Sequence, residues 1–303
     1  MSHPAFDYSP IVRRPPLELP GGARVAVWVA VNVEHYPIDK PGLSIVPLTS
    51  QFVPDPMNYG WRDYGPRVGV WRLMEALERL GFPVSAPVHS AVCDRYPEIV
   101  EEGGRLGWTW IAHGRDNASL QVGMELEEER AYLTEVVEAI EAATGRRPRG
   151  WLGPALTETF HTPELLAELG LSYVCDWCND DQPYPLRSRA GPMISVPYSI
   201  EVNDIPLLLD KGLTGPEYAQ VVIDQFDALH AAGARTGQVM AIPLHPFLVG
   251  QPFRLVHLER ALEHIARHDG VWLTTADDIA GWYLDHRYEQ DAGRAETYRA
   301  GPG

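Results

Sequence analysis

Short apolar runs alternate with helix-like segments along most of the chain. Turn residues bound each run, and apolar residues recur at helical spacing in most of the intervening segments. This alternation is typical of a fold in which helices join parallel strands. The runs predicted as strands are 24–33, 84–88, 108–113, 149–153, 172–176, 193–199, 238–245 and 271–275.

The clearest predicted helix spans 125–144, where acidic residues occupy the first turns and Gly145 provides a stop. Residues 35–64 form a long insertion rich in proline and aromatic residues, a length that indicates either function or disorder. About seven or eight strand–helix units predict a distorted (β/α) barrel, an α/β fold. Further helices are predicted at 65–81, 163–170, 216–233, 255–270 and 276–286.

The composition is that of a globular protein, with 45% apolar residues among 303. We predict a single catalytic domain over 1–303, with its core at about 20–286. Residues 1–20 then form an N-terminal arm and residues 287–303 a loose C-terminal tail.

The net charge of −16 is not offset by any basic block, so nucleic acids and anionic membranes are poor partners. The N-terminus lacks the order of charged and apolar residues of a signal peptide, and no apolar run reaches the length of a membrane span. We therefore expect a cytoplasmic protein that does not bind membranes.

Polar residues cluster where the predicted strands end, which is where parallel barrels carry their active sites. Several histidines and carboxylates converging on one rim exceed what core packing requires, so we predict a catalytic site there. The residues at these ends are Asn32, Glu34, His35, His89, His113, Trp151, Asp176 and His245.

Three of these side chains suit acid–base chemistry. Glu34 can abstract a proton from water, with a rim ion pair to His35 as the alternative. His113 precedes Gly114, whose missing side chain lets the backbone approach a ligand. His245 is the best candidate for a general acid that protonates a leaving nitrogen.

Two further polar clusters are more ambiguous. Asp176, Asp180 and Asp181 need a cation, a histidine or a substrate to compensate them, unless they form a solvated acidic turn. Asn203 and Asp204 are candidates of the same kind, although such residues are also common in turns. His230, His257, His264 and His268 lie on predicted helices remote from the strand ends and receive no role.

Phosphate-loop, dinucleotide, serine-hydrolase and zincin motifs are absent from the sequence. A carboxylate and histidine site remains, and such a site activates water, with or without a metal ion. Hydrolysis of an amide or ester is therefore the predicted chemistry.

An ordered series of motifs resembles the polysaccharide-deacetylase (NodB-homology) superfamily, within it the branch of metal-independent bacterial allantoinases and cyclic-imide hydrolases. The similarity covers roughly 15–285. The motifs are Glu34-His35, His113-Gly114, GWLGP at 150–154, DWCNDDQPY at 176–184, VPYSIEVNDIP at 196–206 and LHP at 244–246.

The resemblance implies a distorted barrel and also shows departures from the family pattern. Glu34 and His35 stand where the deacetylases carry paired aspartates, and Asn117 replaces the second histidine of H-x-x-x-H after His113. Leu152 replaces the motif arginine. We therefore expect no cofactor; if a divalent ion such as zinc is bound, the expected ligands are His35, His113 and Glu34.

The predicted function is opening of a ring C–N bond in a small cyclic amide, a ureide or imide, by water. The alternatives are a metal-dependent deacetylase of a polysaccharide or small molecule, and an inactive barrel that binds ligands. The family also implies a homodimer or homotetramer. Expected catalytic residues are Glu34, His113, His245 and Asp176; expected substrate-binding residues are His35, Asn117, Arg62, Tyr64, Trp151, Asp180, Asp181, Asn203 and Asp204.

Overall fold

The computed structural model describes residues 5–293, and its sheet is built around one fully buried strand, β1 (Val25–Val31). On one side β1 pairs in parallel with β8 (Gln238–Leu244) along its whole length. On the other side it pairs in parallel first with β9 (Val271–Thr274) and then with β2 (Val84–Val88). Burial on both faces explains why this segment is a continuous apolar run.

The remaining strands extend the sheet from β2, and the edges approach each other to give the predicted distorted barrel. The order is β6-β7-β5-β4-β3-β2-β1-β8, with only β6 and β7 antiparallel among the described strands. The backbone N–H of Val239 in β8 donates to the carbonyl of Asp181, just before β6, at 2.8 Å. These strands are β3 (Thr109–Ala112), β4 (Gly150–Trp151), β5 (Tyr173–Val174), β6 (Tyr184–Leu186) and β7 (Met193–Ser195).

All predicted strands are present, whereas β6 was not predicted because Pro185 interrupts a short run. Ten α-helices surround the sheet between residues 56 and 286; of these, α1, α3, α4 and α8 were missed because they are short. No helix within residues 5–293 is both long and apolar enough to cross a membrane. The helices are α1 (Pro56–Tyr64), α2 (Val70–Leu80), α3 (Ser90–Arg95), α4 (Pro97–Arg105), α5 (Leu126–Thr144), α6 (Thr162–Glu168), α7 (Gly215–Ala232), α8 (Pro246–Val249), α9 (Pro252–Ala266) and α10 (Ala276–His286).

The two faces of β1 enter different core layers because side chains alternate along a strand. Val25, Val27 and the other valines at odd positions pack in the outer layer, between the sheet and the helices. Ala26, Trp28 and Ala30 face the interior of the barrel, where the Trp28 indole donates to the Pro197 carbonyl at 3.1 Å.

The terminal segments differ from the expected arm and loose tail. Leu17 and Leu19 are buried in the inner layer, so the core begins before residue 20. Residues 288–293 are helical, and the Tyr283 hydroxyl donates to Asp291 at 2.8 Å. The remainder of the predicted tail, 294–303, lies outside the described residues, as do residues 1–4 of the arm.

The insertion at 35–64 is organised around a buried asparagine, Asn58 in α1. Its side-chain oxygen accepts from the N–H groups of Ile45 and Val46, both at 3.0 Å. Asp55 caps α1 by accepting from the Asn58 N–H at 3.3 Å. The insertion is therefore an ordered segment, and Trp61 and Tyr36 pack on Phe247 just beyond β8.

Close packing in the barrel wall gives a stability prediction. A Cβ on Gly150 would lie 2.0 Å from the Tyr173 ring, which is fully buried. We expect Gly150→Ala to reduce the free energy of unfolding by about 1–3 kcal/mol in urea denaturation. Gly104→Ala, whose Cβ meets nothing within 4 Å, is the control and should be neutral or stabilising. Equal effects of the two variants would contradict the described packing.

Candidate active site

Glu34 lies at the centre of a group of polar side chains at the carboxyl end of β1. Its side chain is only 7% exposed, and one carboxylate oxygen, Oε1, accepts from Asn117 at 3.0 Å. The other oxygen accepts from the Tyr36 hydroxyl at 2.7 Å. The two ring nitrogens that face the carboxylate are Nε2 of His113 at 3.6 Å and Nε2 of His245 at 3.8 Å. The structure thus brings together residues that follow β1, β3 and β8.

The surroundings of Glu34 favour its ionised form. Burial alone would raise the pKa of this carboxyl, but a hydrogen bond from His113 when that ring carries a proton on Nε2, and the charge of His245, hold its pKa well below the usual value. Burial and the nearby Glu34 charge raise the pKa of Tyr36, which stays a hydrogen-bond donor. Glu34 is therefore a carboxylate at neutral pH.

His245 and Asp204 form a buried pair opposite Glu34. Nδ1 of His245 lies 2.6 Å from Oδ1 of Asp204, and the His245 backbone N–H donates to Oδ2 at 2.7 Å. Burial would lower the pKa of His245, but Asp204, and then Glu34, raise it above the ordinary value. The imidazolium form is favoured, with its second proton on the Nε2 that faces Glu34. This arrangement suits a general acid.

The tautomer of His113 is set by a backbone carbonyl. Nδ1 of His113 donates to the carbonyl of Leu152 at 2.6 Å, which leaves a lone pair on Nε2, the nitrogen nearest Glu34. Gly114 has φ of +73°, and a Cβ there would lie 2.5 Å from Pro154 and 2.6 Å from the Tyr132 hydroxyl. The glycine therefore allows close packing of the protein on itself rather than the predicted approach of a ligand.

His89, which the sequence analysis placed at a strand end without a specific role, stacks on His113 with ring centroids 4.7 Å apart. Its Nδ1 accepts from the backbone N–H of His35 at 3.0 Å, so the proton of the neutral ring lies on Nε2. Nε2 is buried and has no hydrogen-bond partner among the described residues. Burial keeps the pKa of His89 well below the ordinary value. The site therefore contains an unused neutral N–H donor.

Glu34, His89 and His113 each offer a potential metal ligand, and the three atoms lie within 4.8 Å of one another. Catalytic zinc is usually held by three protein ligands, and an imidazole binds through an unprotonated nitrogen. The Glu34 carboxylate and Nε2 of His113 can each offer a lone pair to an ion. His89 cannot, because the hydrogen bond from the His35 N–H to Nδ1 places the ring proton on its other nitrogen, Nε2. As arranged, the three residues do not fit a three-ligand zinc site.

His35 is not part of this group, contrary to the expected ligand set. Nδ1 of His35 lies 3.2 Å from the Tyr96 hydroxyl, so the ring is directed at α3 and α4 instead. Its backbone is nevertheless important, because its N–H holds His89 and its carbonyl accepts from the Asn117 N–H at 3.0 Å.

Asp176 lies one layer behind the acid–base residues, so the expected direct catalytic role is replaced by a positioning one. Its Oδ1 accepts from the Gly153 N–H at 2.6 Å, next to the Leu152 carbonyl that holds His113. Its other partner is Glu158, a residue that the sequence analysis missed. Burial raises the pKa of Asp176 strongly and that of Glu158 to about 7, so this buried pair holds on to protons that free carboxyls would lose at neutral pH.

Two of the predicted substrate-binding acids lie elsewhere. The Asp181 carbonyl binds Val239 at the start of β8, six residues before His245, and thus roughly 20 Å from the site. Asp180 forms an ion pair with Arg14 of the N-terminal arm. Their proximity to Asp176 along the chain is misleading, because the chain returns to the amino end of the sheet before β6.

The other predicted binding residues are divided between the site and its surroundings. Arg62 is buried over the Tyr36 ring at 4.8 Å and lines a small cavity together with Glu34. The Trp151 side chain packs in the outer core, the Tyr64 hydroxyl lies 3.4 Å from the Gly250 carbonyl, and Asn203 accepts from Ile205 N–H in a turn. None of these three has a described contact with Glu34.

Tyr198 is another residue that the sequence analysis missed, since its hydroxyl lies 3.1 Å from Nδ2 of Asn32 at the end of β1. The signal for Tyr36, His89 and Glu158 was available, because each follows a predicted strand closely. Tyr198 lies within a predicted strand, so its hydroxyl could be placed only by the fold.

The space beside Glu34 is small. The cavity there measures about 10 Å³, enough for one water molecule, and Asn32, Arg62 and Phe247 help to line it. A much larger cavity, about 580 Å³, lies between the N-terminal arm, β6 and α10 and includes none of the acid–base residues. Size alone therefore does not mark the chemical site.

Comparison with known proteins agrees with this architecture. A profile described as "Polysaccharide deacetylase" matches residues 59–174. A "Putative polysaccharide deacetylase" of Schizosaccharomyces pombe is 29% identical over 245 residues, covering 75% of this chain and 76% of that protein.

Two crystal structures, each 28% identical, cover 91% of this chain and 96% of their own. One is a probable polysaccharide deacetylase from Pseudomonas aeruginosa PAO1, with a TM-score of 0.81; the other is the Puue allantoinase, with a TM-score of 0.82. The predicted resemblance and fold are confirmed, and residues 59–174 match the polysaccharide-deacetylase profile. The matched proteins are named as deacetylases and an allantoinase, which are hydrolases that act on carbon–nitrogen bonds other than peptide bonds.

The raised pKa of Glu158 gives a pH prediction. The pKa of Glu158 is about 7 in the folded protein against 4.5 ordinarily, so the folded state binds more protons between these values. The contribution of Glu158 to the free energy of unfolding is therefore fully present below pH 4.5 and is lost as the pH rises to about 7. In urea denaturation at several pH values, the free energy of unfolding of the wild type should fall by about 1–3 kcal/mol over this range because of Glu158. We expect Glu158→Gln to lack this fall, because the amide does not ionise. The exposed control Glu128→Gln should keep the wild-type slope. A Glu158→Gln profile parallel to that of the control would contradict the raised pKa of Glu158.

Proposed function

We propose that the protein opens a ring C–N bond of a small cyclic amide, a ureide or an imide, with water as the nucleophile. The observation that carries this proposal is the opposition of Glu34 to the His245–Asp204 pair, with the unpartnered N–H of His89 beside them. The arrangement supplies a proton acceptor, a proton donor and a hydrogen-bond donor in one buried place.

The enclosed site favours a small substrate over a polymer. Small-molecule sites bury most of the ligand surface, whereas a polymer needs a groove that stays open along its length. His89, His113 and His245 are each at most 5% exposed, and the neighbouring cavity is about 10 Å³. A cyclic amide that enters by displacement of the 35–64 segment would be enclosed on most sides.

Water attack begins at Glu34. The ionised carboxylate orients a water molecule and accepts one of its protons while the water oxygen bonds to the ring carbonyl carbon. The lowered pKa of Glu34 makes it a weak base on its own. Nε2 of His113, 3.6 Å from Oε1, therefore assists by holding the water through its lone pair.

The negative charge that develops on the carbonyl oxygen needs a donor already in place. Nε2–H of His89 is such a donor, because it is neutral, buried and unpartnered. His245 then gives its Nε2 proton to the ring nitrogen as the C–N bond breaks, and Asp204 stabilises the imidazolium until that step. The products are a carboxylic acid and a free N–H group on the opened chain.

The second candidate is a metal-dependent deacetylase, favoured by the grouping of Glu34, His89 and His113 within 4.8 Å. It requires His89 to release its hydrogen bond with the His35 N–H and turn a lone pair toward the ion.

The deciding experiment compares initial rates on allantoin, hydantoin, succinimide, dihydrouracil and an N-acetylated sugar, with chelator-treated protein. We expect turnover of a cyclic substrate without added metal. Activity that appears only after zinc is restored, above all on the acetylated sugar, would favour the deacetylase. Ligand binding with no turnover in either state would favour an inactive binding barrel.

Glu34→Gln tests the proposed base. Because the amide cannot accept the proton of water, we expect kcat to fall by about 10²–10⁴-fold while KM changes much less. Steady-state kinetics of this variant should be compared with Glu138→Gln, an exposed substitution in α5. A loss confined to KM would show that Glu34 only binds substrate.

Asp204→Asn tests the proposed acid through the pH dependence of kcat. Without the Asp204 charge the pKa of His245 falls, so the alkaline limb of the profile should move to lower pH. The exposed control Asp224→Asn in α7 should leave this limb in place. An unmoved limb in Asp204→Asn would remove His245 from the acid role.

A further inference from the structure

Three histidines surround one buried phenylalanine on the outer side of α7 and α9. The ring centroids of His230, His264 and His268 lie 5.6, 5.9 and 5.0 Å from that of Phe226. His230 Nε2 lies 2.8 Å from the Asp269 carbonyl, just before β9. The cluster is therefore at the amino ends of the strands, the opposite end of the barrel from Glu34.

An aspartate completes the cluster. Nε2 of His264 lies 2.8 Å from Oδ1 of Asp227, which reaches across from α7. Asp227, His264 and His268 each offer a ligand atom, and these atoms all lie within 4.8 Å of one another. All three side chains are exposed or half-buried, so an ion and its water ligands have access.

Backbone carbonyls hold the tautomer of two of the histidines. His268 Nδ1 donates to the His264 carbonyl at 2.9 Å, which leaves the lone pair of His268 on Nε2. The bond from His230 Nε2 to Asp269 likewise leaves a lone pair on Nδ1. Hydrogen bonds of this kind orient and fix the imidazole ligands of metal sites.

We propose that Asp227, His264 and His268 bind a divalent transition-metal ion of the zinc type, with His230 as the nearest further imidazole. Two imidazoles and one carboxylate match the donor preference of zinc, and water can complete the coordination. The ion replaces the hydrogen bond between His264 and Asp227. It joins α7 to the end of α9, far from the reacting groups, and its role is structural.

Zinc titration of the full chain tests this site. Equilibrium dialysis should find one zinc ion fewer on His264→Ala/His268→Ala than on the wild type. The matched control His161→Ala/His257→Ala, which removes two other surface histidines, should keep the wild-type number. Added zinc should raise the Tm of the wild type and the control more than that of the His264→Ala/His268→Ala variant.

Asp227→Asn provides a milder test, because Asp227 is exposed and its loss should not prevent folding. We expect the zinc affinity of this site to fall at least about tenfold, with a loss of the Co²⁺ absorption bands of a nitrogen and oxygen site. Equal zinc numbers and equal Tm shifts in all variants would overturn the proposal. The outcome is independent of the ring-opening activity, which is measured separately.

Discussion

Keeping a carboxylate ionised inside a barrel requires donors on every side, and this requirement organises the carboxyl end of the sheet. Glu34 is 7% exposed, and its two oxygens accept hydrogen bonds from Asn117 and Tyr36. Nε2 of His245, which carries a proton, faces it at 3.8 Å. Without these groups, burial would favour the protonated acid. The strand ends that converge here therefore form one electrostatic unit.

The proton positions in this unit follow from backbone groups rather than from the side chains alone. The Leu152 carbonyl places a proton on Nδ1 of His113, and the His35 N–H excludes one from Nδ1 of His89. The first ring presents a lone pair and the second an N–H, although they stack on each other. Identical residue types thus acquire opposite hydrogen-bonding roles, and the proposed chemistry uses this difference.

Much of the fold and part of the site could be predicted because they depend on local patterns. Apolar runs predicted each parallel strand, and the position of Glu34, His113 and His245 directly after such runs predicted their convergence. The sequence pattern could not decide whether the ring of His35 or that of His89 lies beside Glu34 and His113, because both residues follow strands. The choice was decided by the direction of the backbone after β1, which turns the His35 ring toward Tyr96.

The amino-acid sequence was sufficient for the barrel and for the rim at which Glu34 and the histidines converge, because strand periodicity and strand ends are local properties. Contacts between distant segments determined the rest. Asp181 belongs to the amino end of β8, Asp176 pairs with Glu158, and Asp227 meets His264 across two helices. Each of these pairings depends on how the chain returns through space, and neither composition nor spacing specifies that path.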